Sequence, residues 1–307
     1  MAGVASTLRR FLVIKWGRTL AAFVARCGAV VGRTAMINWL PTLAVLAAAG
    51  VGLSFHVGGA TRDDDGIGVI LLHGKLGDPL ERRAGLDMLA ANLRAAGCAI
   101  ALPTMPWSDK GWLTIDRDVP ASLAMIDRVA AQMRTQGANR IVLVGHSLGA
   151  AVALAYTASR GNIAGLVMAA PGHTPAALVE RDAATRAALE RARALVAEGR
   201  GDDRFIGPDG IQGANLTLTT RAAVYLSWMD PQGLAEMSVQ APRVPASIPL
   251  LLVIGRHDPF YGRAETAVFK PAARHPYSRY LPVGAEHSTT PLAAQTAIQN
   301  WIEGLPR

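Results

Sequence analysis

Residues Ile141 to Ala155 read IVLVGHSLGAAVALA, and the stretch changes character halfway. Its first four residues are β-branched or leucine, the composition of a strand buried on both faces. Its last six are alanine-rich and suit a tightly packed helix. Between them stand Gly145, His146, Ser147, Leu148 and Gly149, so a serine sits at the junction with a glycine two residues to either side. A turn this sharp forces its central residue into a strained backbone conformation and projects that side chain away from the sheet. A Cβ two residues before or after would collide with the neighbouring strand or helix, which is what the glycines avoid. The N-terminus of the following helix also aims backbone N–H groups at any anion formed beside Ser147. Serine and glycine are common enough for the spacing alone to arise by chance, so its weight depends on what else the chain supplies.

The 307 residues suit one large α/β domain with additions, and half are hydrophobic but only 6% aromatic, so the core is aliphatic. The net charge of +8 is unevenly placed. Residues 1–33 carry Arg9, Arg10, Lys15, Arg18, Arg26 and Arg33 and no acidic residue, which leaves the remainder nearly neutral and argues against a nucleic-acid partner. Lys15, Arg18, Arg26 and Arg33 share an arc of about 80° on a helical wheel, with Val24 and Val31 opposite and Leu12 and Phe23 to one side. That pattern predicts a basic amphipathic helix suited to an anionic membrane surface. From Thr34 to Thr61 no Asp, Glu, Lys or Arg occurs, and MINWLPTLAVLAAAGVGL within this run is apolar enough to enter a bilayer. Basic residues before it and Arg62 to Asp65 after it predict an exported or membrane-anchored body beyond residue 60. Ala47, Ala48 and Ala49 offer small residues for cleavage of such a segment. Cys27 and Cys98 would then lie on opposite sides of the membrane, leaving no intrachain disulfide, and Cys98 reads as a core residue.

Beyond the leader, strand and helix patterns alternate. Strands are expected at Gly66–Gly74, Cys98–Leu102, Arg140–Val144, Ile163–Ala170, Ile248–Gly255 and Arg279–Val283. Helices are expected over 80–96, Val119–Thr135, the stretch after Ser147, and Leu292–Ile302. This order predicts a doubly wound, mostly parallel sheet covered by helices on both faces, with chemistry at the carboxyl ends of its strands. Residues 172–246 interrupt the alternation where a short crossover would suffice. With a helical stretch at Ala176–Ala197, they predict a cap over the strand ends.

Those strand ends carry a further pair of residues. RHDPF places Asp258 three residues past Gly255, and GAEHSTTP places His287 four residues past Val283. A serine hydroxyl needs an imidazole to take its proton, and the imidazole needs a carboxylate to fix its tautomer. Asp258 before Pro259 would also serve as an ordinary turn residue. With Ser147, Asp258 and His287 in this order beyond three separate strands, the sequence resembles the α/β-hydrolase family from about Gly66 to Arg307. The resemblance implies a serine hydrolase acting on carboxylic esters through an acyl-enzyme, with Ser147 as nucleophile, His287 as general base and Asp258 as orienting acid. It also implies an oxyanion hole from the N–H groups of Leu148 and of Lys75, which follows His73-Gly74. No cofactor or metal is implied, and the partners are a small-molecule or lipid ester. Amide, thioester and acyl-transfer chemistry use the same parts, and a catalytically silent binding protein on the same fold is the alternative. The two antiparallel strands that usually open the fold have no clear place unless Val51–Val57 supplies one, so a minimal six-stranded sheet is expected.

Among the remaining residues, His73 is read as a brace for the oxyanion loop and His146 as structural beside the elbow. His173, Trp107 and Trp228 are candidate pocket walls, with ordinary packing the alternative for each. The Lys75 side chain is expected to face solvent, and His257 and His275 to be solvated.

Overall fold

The computed structural model describes residues 66–75, 84–108, 113–211 and 214–306. The leader, its apolar run and Val51–Val57 lie outside the described residues. Among those described, no helix is long and apolar enough to cross a membrane.

Among the described residues six strands form one sheet: β1 (Ile67–Leu72), β2 (Ala99–Ala101), β3 (Arg140–Ser147), β4 (Gly165–Pro171) and two later strands at Leu250–Gly255 and Arg279–Val283. With the cap hairpin β5 (Arg204–Ile211) and β6 (Ala214–Arg221) between them, the last two are β7 and β8. The order is β2-β1-β3-β4-β7-β8 with every pairing parallel, the expected six-stranded sheet.

Alternation along each strand builds two cores. Val69, Leu71, Val142 and Val144 face α1 (Ala84–Ala95) and the C-terminal helix (Gln295–Glu303) through Leu89, Leu93, Ile298 and Trp301. Ile70, Leu72, Ile141 and Leu143 face the other way, toward α2 (Val119–Thr135) and α3 (Leu148–Arg160). The central strands β1, β3, β4 and β7 carry near-continuous hydrophobic runs because helices cover both faces, and each fully buried aliphatic side chain is worth roughly 1.5–3 kcal/mol. Asp118 caps α2 by accepting from the Ala121 N–H at 2.8 Å, and α3 ends at Gly161 in the left-handed region. Cys98 is half-buried against the first of these cores. Burial, reinforced by the Glu303 charge, pushes its thiol up and keeps it protonated.

The cap differs from expectation in two places. Ala176–Ala197 is two helices, α4 (Pro175–Arg181) and α5 (Ala183–Ala197). Asp182 separates them because its carboxylate accepts from the Ala184 and Thr185 N–H groups, which makes it the N-cap of a new helix. The Gly- and Thr-containing segment after α5 is the antiparallel hairpin β5–β6, so the helical cap also carries a small sheet. Its outer strand docks on the segment before α2, with the Thr219 N–H donating to the Leu113 carbonyl at 3.0 Å. The helix α6 (Ala222–Met229) follows. The expected final helix is interrupted at Ala294, giving α7 (Thr290–Ala293) and α8 (Gln295–Glu303).

Candidate active site

Ser147 ends β3 and precedes α3 with φ 54° and ψ −120°, a left-handed conformation costing about 1–3 kcal/mol in a residue with a side chain. The flanking glycines are required by contact. A Cβ on Gly145 would stand 2.3 Å from the Gly149 carbonyl oxygen, and one on Gly149 would stand 2.3 Å from that of Leu72. The neighbouring strand bends to meet the elbow. In the β3–β4 register His146 faces Ala169 but Ser147 faces Pro171, so Ala170 is a bulge residue, with φ 44°. The bulge brings Gly172 beneath the serine, where its N–H donates to the Ser147 carbonyl at 3.2 Å. A Cβ on Gly172 would lie 3.0 Å from Ser147 Oγ.

The other two strand-end residues converge on this hydroxyl. Asp258 is buried in the turn after β7, where its Oδ1 accepts from the Phe260 N–H at 2.7 Å. Its Oδ2 lies 2.7 Å from His287 Nδ1, and His287 Nε2 lies 2.8 Å from Ser147 Oγ. With an acceptor-only carboxylate on Nδ1, the imidazole carries its proton there and leaves Nε2 to accept from the serine. Such a line of groups can move a proton off Oγ as the oxygen attacks an electrophile. His146 packs beside it, its ring 5.3 Å from that of His287, and its Nε2–H donates to the His287 carbonyl at 3.2 Å. Burial, then the neighbouring His287, push His146 down to about 4, so it stays neutral and structural as expected.

Leu148, the first residue of α3, has an N–H with no acceptor within the helix. The second N–H expected to bind an oxyanion belongs to the Gly74–Lys75 peptide, whose orientation is held from its oxygen. The Gly74 carbonyl accepts from His73 Nδ1 at 2.7 Å and from the Trp107 indole N–H at 3.2 Å. The Met105 N–H donates to His73 Nε2 at 3.0 Å, which fixes the proton on Nδ1. In a trans peptide the N–H points opposite to the carbonyl, so these two donors aim the Lys75 N–H away from Trp107. The peptide itself stands beside the elbow, since a Cβ on Gly74 would meet Ser147 Cβ at 3.0 Å.

The Lys75 side chain does not face solvent. It is buried, and its ammonium is paired with Asp209 on β5 of the cap. The reason lies in the fold, because the hairpin carries a carboxylate across the chain to the oxyanion loop and gives the ammonium a partner out of water. Trp107 and Trp228 are both buried and meet edge to face at 6.0 Å. His73 packs against Trp107 and His173 against Trp228, so four rings run from the oxyanion loop into the cap. His173 stands at φ 72°, with its Nε2–H donating to the Trp228 carbonyl at 2.8 Å. His257 is exposed near Glu286 and His275 is partly exposed. Sequence reasoning passed over Asp209, Gly172 and Glu236. Glu236 is buried and ties the end of the cap to its beginning, accepting from the Ala176 N–H of α4 at 2.9 Å as well as from Ser238 beside it. Each of the three acts on a partner distant in sequence, which no local pattern announces.

This sheet, with a serine elbow and an imidazole–carboxylate pair at its carboxyl edge, defines an α/β-hydrolase fold. A sequence model of the alpha/beta hydrolase family matches residues 69–295, about three quarters of the chain, and the protein belongs to that family. No curated protein matches it. Among solved structures it is similar to a monoacylglycerol lipase from Paleococcus ferrophilus, at 19% identity and a TM-score of 0.57 over 79% of this chain and 97% of that one. A thermostable carboxyl esterase from Bacillus coagulans aligns at 16% identity and a TM-score of 0.57, covering 78% and 90% of the two chains. Est1E from Butyrivibrio proteoclasticus, solved with ferulic acid, aligns at 18% identity and a TM-score of 0.54 over 80% and 91%.

Proposed function

We propose that the protein is a serine hydrolase that cleaves carboxylic esters through an acyl-enzyme. The observation that carries this reading is the unbroken line from Ser147 Oγ through His287 to the buried Asp258 carboxylate, with contacts of 2.8 and 2.7 Å. Ser147 Oγ attacks the ester carbonyl carbon while its proton passes to His287 Nε2, and Asp258 stabilises the imidazolium. The tetrahedral oxyanion is held by the Leu148 and Lys75 N–H groups. Collapse expels the alcohol, which takes the proton from Nε2. Water then gives a proton to the same nitrogen and attacks the acyl carbon, releasing the acid and restoring the serine. Similarity to a lipase and to esterases supports an ester as the substrate. The leader, residues 1–60, holds the hydrolase domain at a membrane on the non-cytoplasmic side in this reading, supported by its basic and apolar patterning.

A fluorophosphonate probe tests the proposal directly. It is expected to label the wild-type chain at Ser147 and to leave Ser147→Ala unlabelled, with turnover of p-nitrophenyl butyrate abolished in that variant. Turnover near the wild-type level in Ser147→Ala refutes the nucleophile, and a folded wild-type chain inert to probe and ester refutes the enzyme.

A further inference from the structure

Ser147, Ala170 and His173 are the described non-glycine residues at positive φ, and all three lie at the elbow. The first presents a hydroxyl and the second is the bulge. His173 has a different consequence. Its left-handed backbone turns the imidazole under the cap, where Nε2–H is committed to the Trp228 carbonyl at 2.8 Å. With the proton on Nε2, Nδ1 is a bare acceptor. It is buried and has no hydrogen-bond partner among the described residues. A second acceptor is in the same condition: Asp209 receives the Lys75 ammonium on Oδ2, while its Oδ1 is buried without a partner among the described residues. Contacts join the two: His173 holds Trp228, which meets Trp107 edge to face at 6.0 Å, and the Trp107 indole donates to the carbonyl of Gly74, whose neighbour Lys75 pairs with Asp209. Burial first, and then the Lys75 ammonium, push His173 down to about 4, with Asp209 opposing them. Native folds rarely leave buried acceptors bare, and two beside a reacting centre indicate a donor that arrives with a ligand.

We propose that His173 Nδ1 and Asp209 Oδ1 form a subsite for a hydroxyl group of the substrate, so that the ester this protein prefers is hydroxylated close to its scissile carbonyl. The inference rests on the reading of the chain as an ester hydrolase. Its position follows from the two elements that carry it. His173 succeeds Gly172, whose Cβ would stand 3.0 Å from Ser147 Oγ, and Asp209 is tied to Lys75 on the oxyanion loop. Its charge selects the donor. Lys75 neutralises Asp209, so the subsite has no net charge to hold a cation, and the ammonium repels one. A neutral hydroxyl fits where a substrate ammonium does not. A site built to bond a hydroxyl discriminates against the analogue lacking it, because its own acceptors are then left unpaired.

The test uses the full-length chain and two pairs of esters. p-Nitrophenyl 3-hydroxybutyrate against p-nitrophenyl butyrate places the hydroxyl on the acyl side, and glycerol monobutyrate against propyl butyrate places it on the alcohol side. One pair is expected to show a preference in kcat/KM of about tenfold or more for the hydroxylated ester, and which pair does so identifies the side. His173→Phe removes the Nδ1 acceptor and keeps an aromatic ring against Trp228, and it is expected to reduce that preference to within about threefold. Asp209→Asn turns its amide oxygen to the Lys75 ammonium and puts an NH₂ donor at the Oδ1 position, so it is expected to act in the same direction, and where it fails to fold the phenylalanine variant decides. A wild-type preference below about threefold in both pairs overturns the subsite while ester hydrolysis stands, as does a preference that survives His173→Phe. A folded chain that hydrolyses none of the four esters and resists the fluorophosphonate overturns both readings.

Discussion

Asp258→Asn separates proton relay from mere proximity, and its effect can be worked out atom by atom. The carboxylate is pinned by the Phe260 N–H, which donates to Oδ1 at 2.7 Å. In the asparagine variant that backbone donor demands an acceptor, so the amide oxygen takes the Oδ1 position and the NH₂ group faces His287 Nδ1. An NH₂ group can only donate, so Nδ1 must accept and the imidazole proton moves to Nε2. There it points at Ser147 Oγ, from which Nε2 needs to accept. The base is present but in the wrong tautomer. The expected loss in kcat is on the order of 10⁴, or about 5.5 kcal/mol of transition-state stabilisation. KM should change little, because the carboxylate is buried behind the imidazole. The urea midpoint should move only modestly, since the replacement is isosteric and keeps the Phe260 bond. Steady-state hydrolysis of p-nitrophenyl butyrate with a parallel urea titration reads both. A loss of less than about tenfold in kcat, or one appearing mainly in KM, refutes the relay and leaves Asp258 as a turn residue before Pro259.

Trp107→Phe removes one of the two donors on the Gly74 carbonyl and keeps an aromatic ring, so kcat should fall about tenfold with KM nearly unchanged; an unchanged kcat would show that His73 alone sets the oxyanion peptide. His146 and His173, both pushed down to about 4 in the fold, bind more protons when unfolded at any pH between 4 and the ordinary value of 6.5. Their contribution to stability is therefore complete above that window and lost as pH falls through it, by about 2 kcal/mol per histidine at pH 5. Urea midpoints at pH 7.5 and 5 read the difference, and the double variant His146→Asn/His173→Gln should flatten it. A version of the chain beginning at Thr61 should be soluble and hydrolytically active while the full-length chain partitions with membranes, because the parallel sheet begins at Ile67. Insoluble, inactive truncated protein would mean that Val51–Val57 belongs to the sheet.

The sequence by itself determined the layered architecture and which three side chains meet at one edge of the sheet. Strands covered on both faces must be hydrophobic at every position, as IVLV at Ile141–Val144 is. The elbow must carry glycine at 145 and 149 because backbone atoms stand 2.3 Å from where a Cβ would be. Asp258 and His287 were legible because a parallel sheet delivers the ends of separate strands to one edge, so position after a strand stands in for position in space. Val119–Thr135 was legible to the residue, since Asp118 and Pro120 mark its start. Tertiary structure alone decided the rest. The cap hairpin was hidden because Gly207, Pro208 and Gly210 break the alternation of β5, and because β6 docks on the distant chain segment around Thr114. The bulge at Ala170 exists only against β3. The Lys75–Asp209 pair joins residues 134 positions apart, and the sequence around Lys75 is that of any solvated lysine. Local periodicity records which face of an element is covered, whereas the pairing of buried polar groups depends on what the fold brings opposite them, and no window of sequence contains both partners.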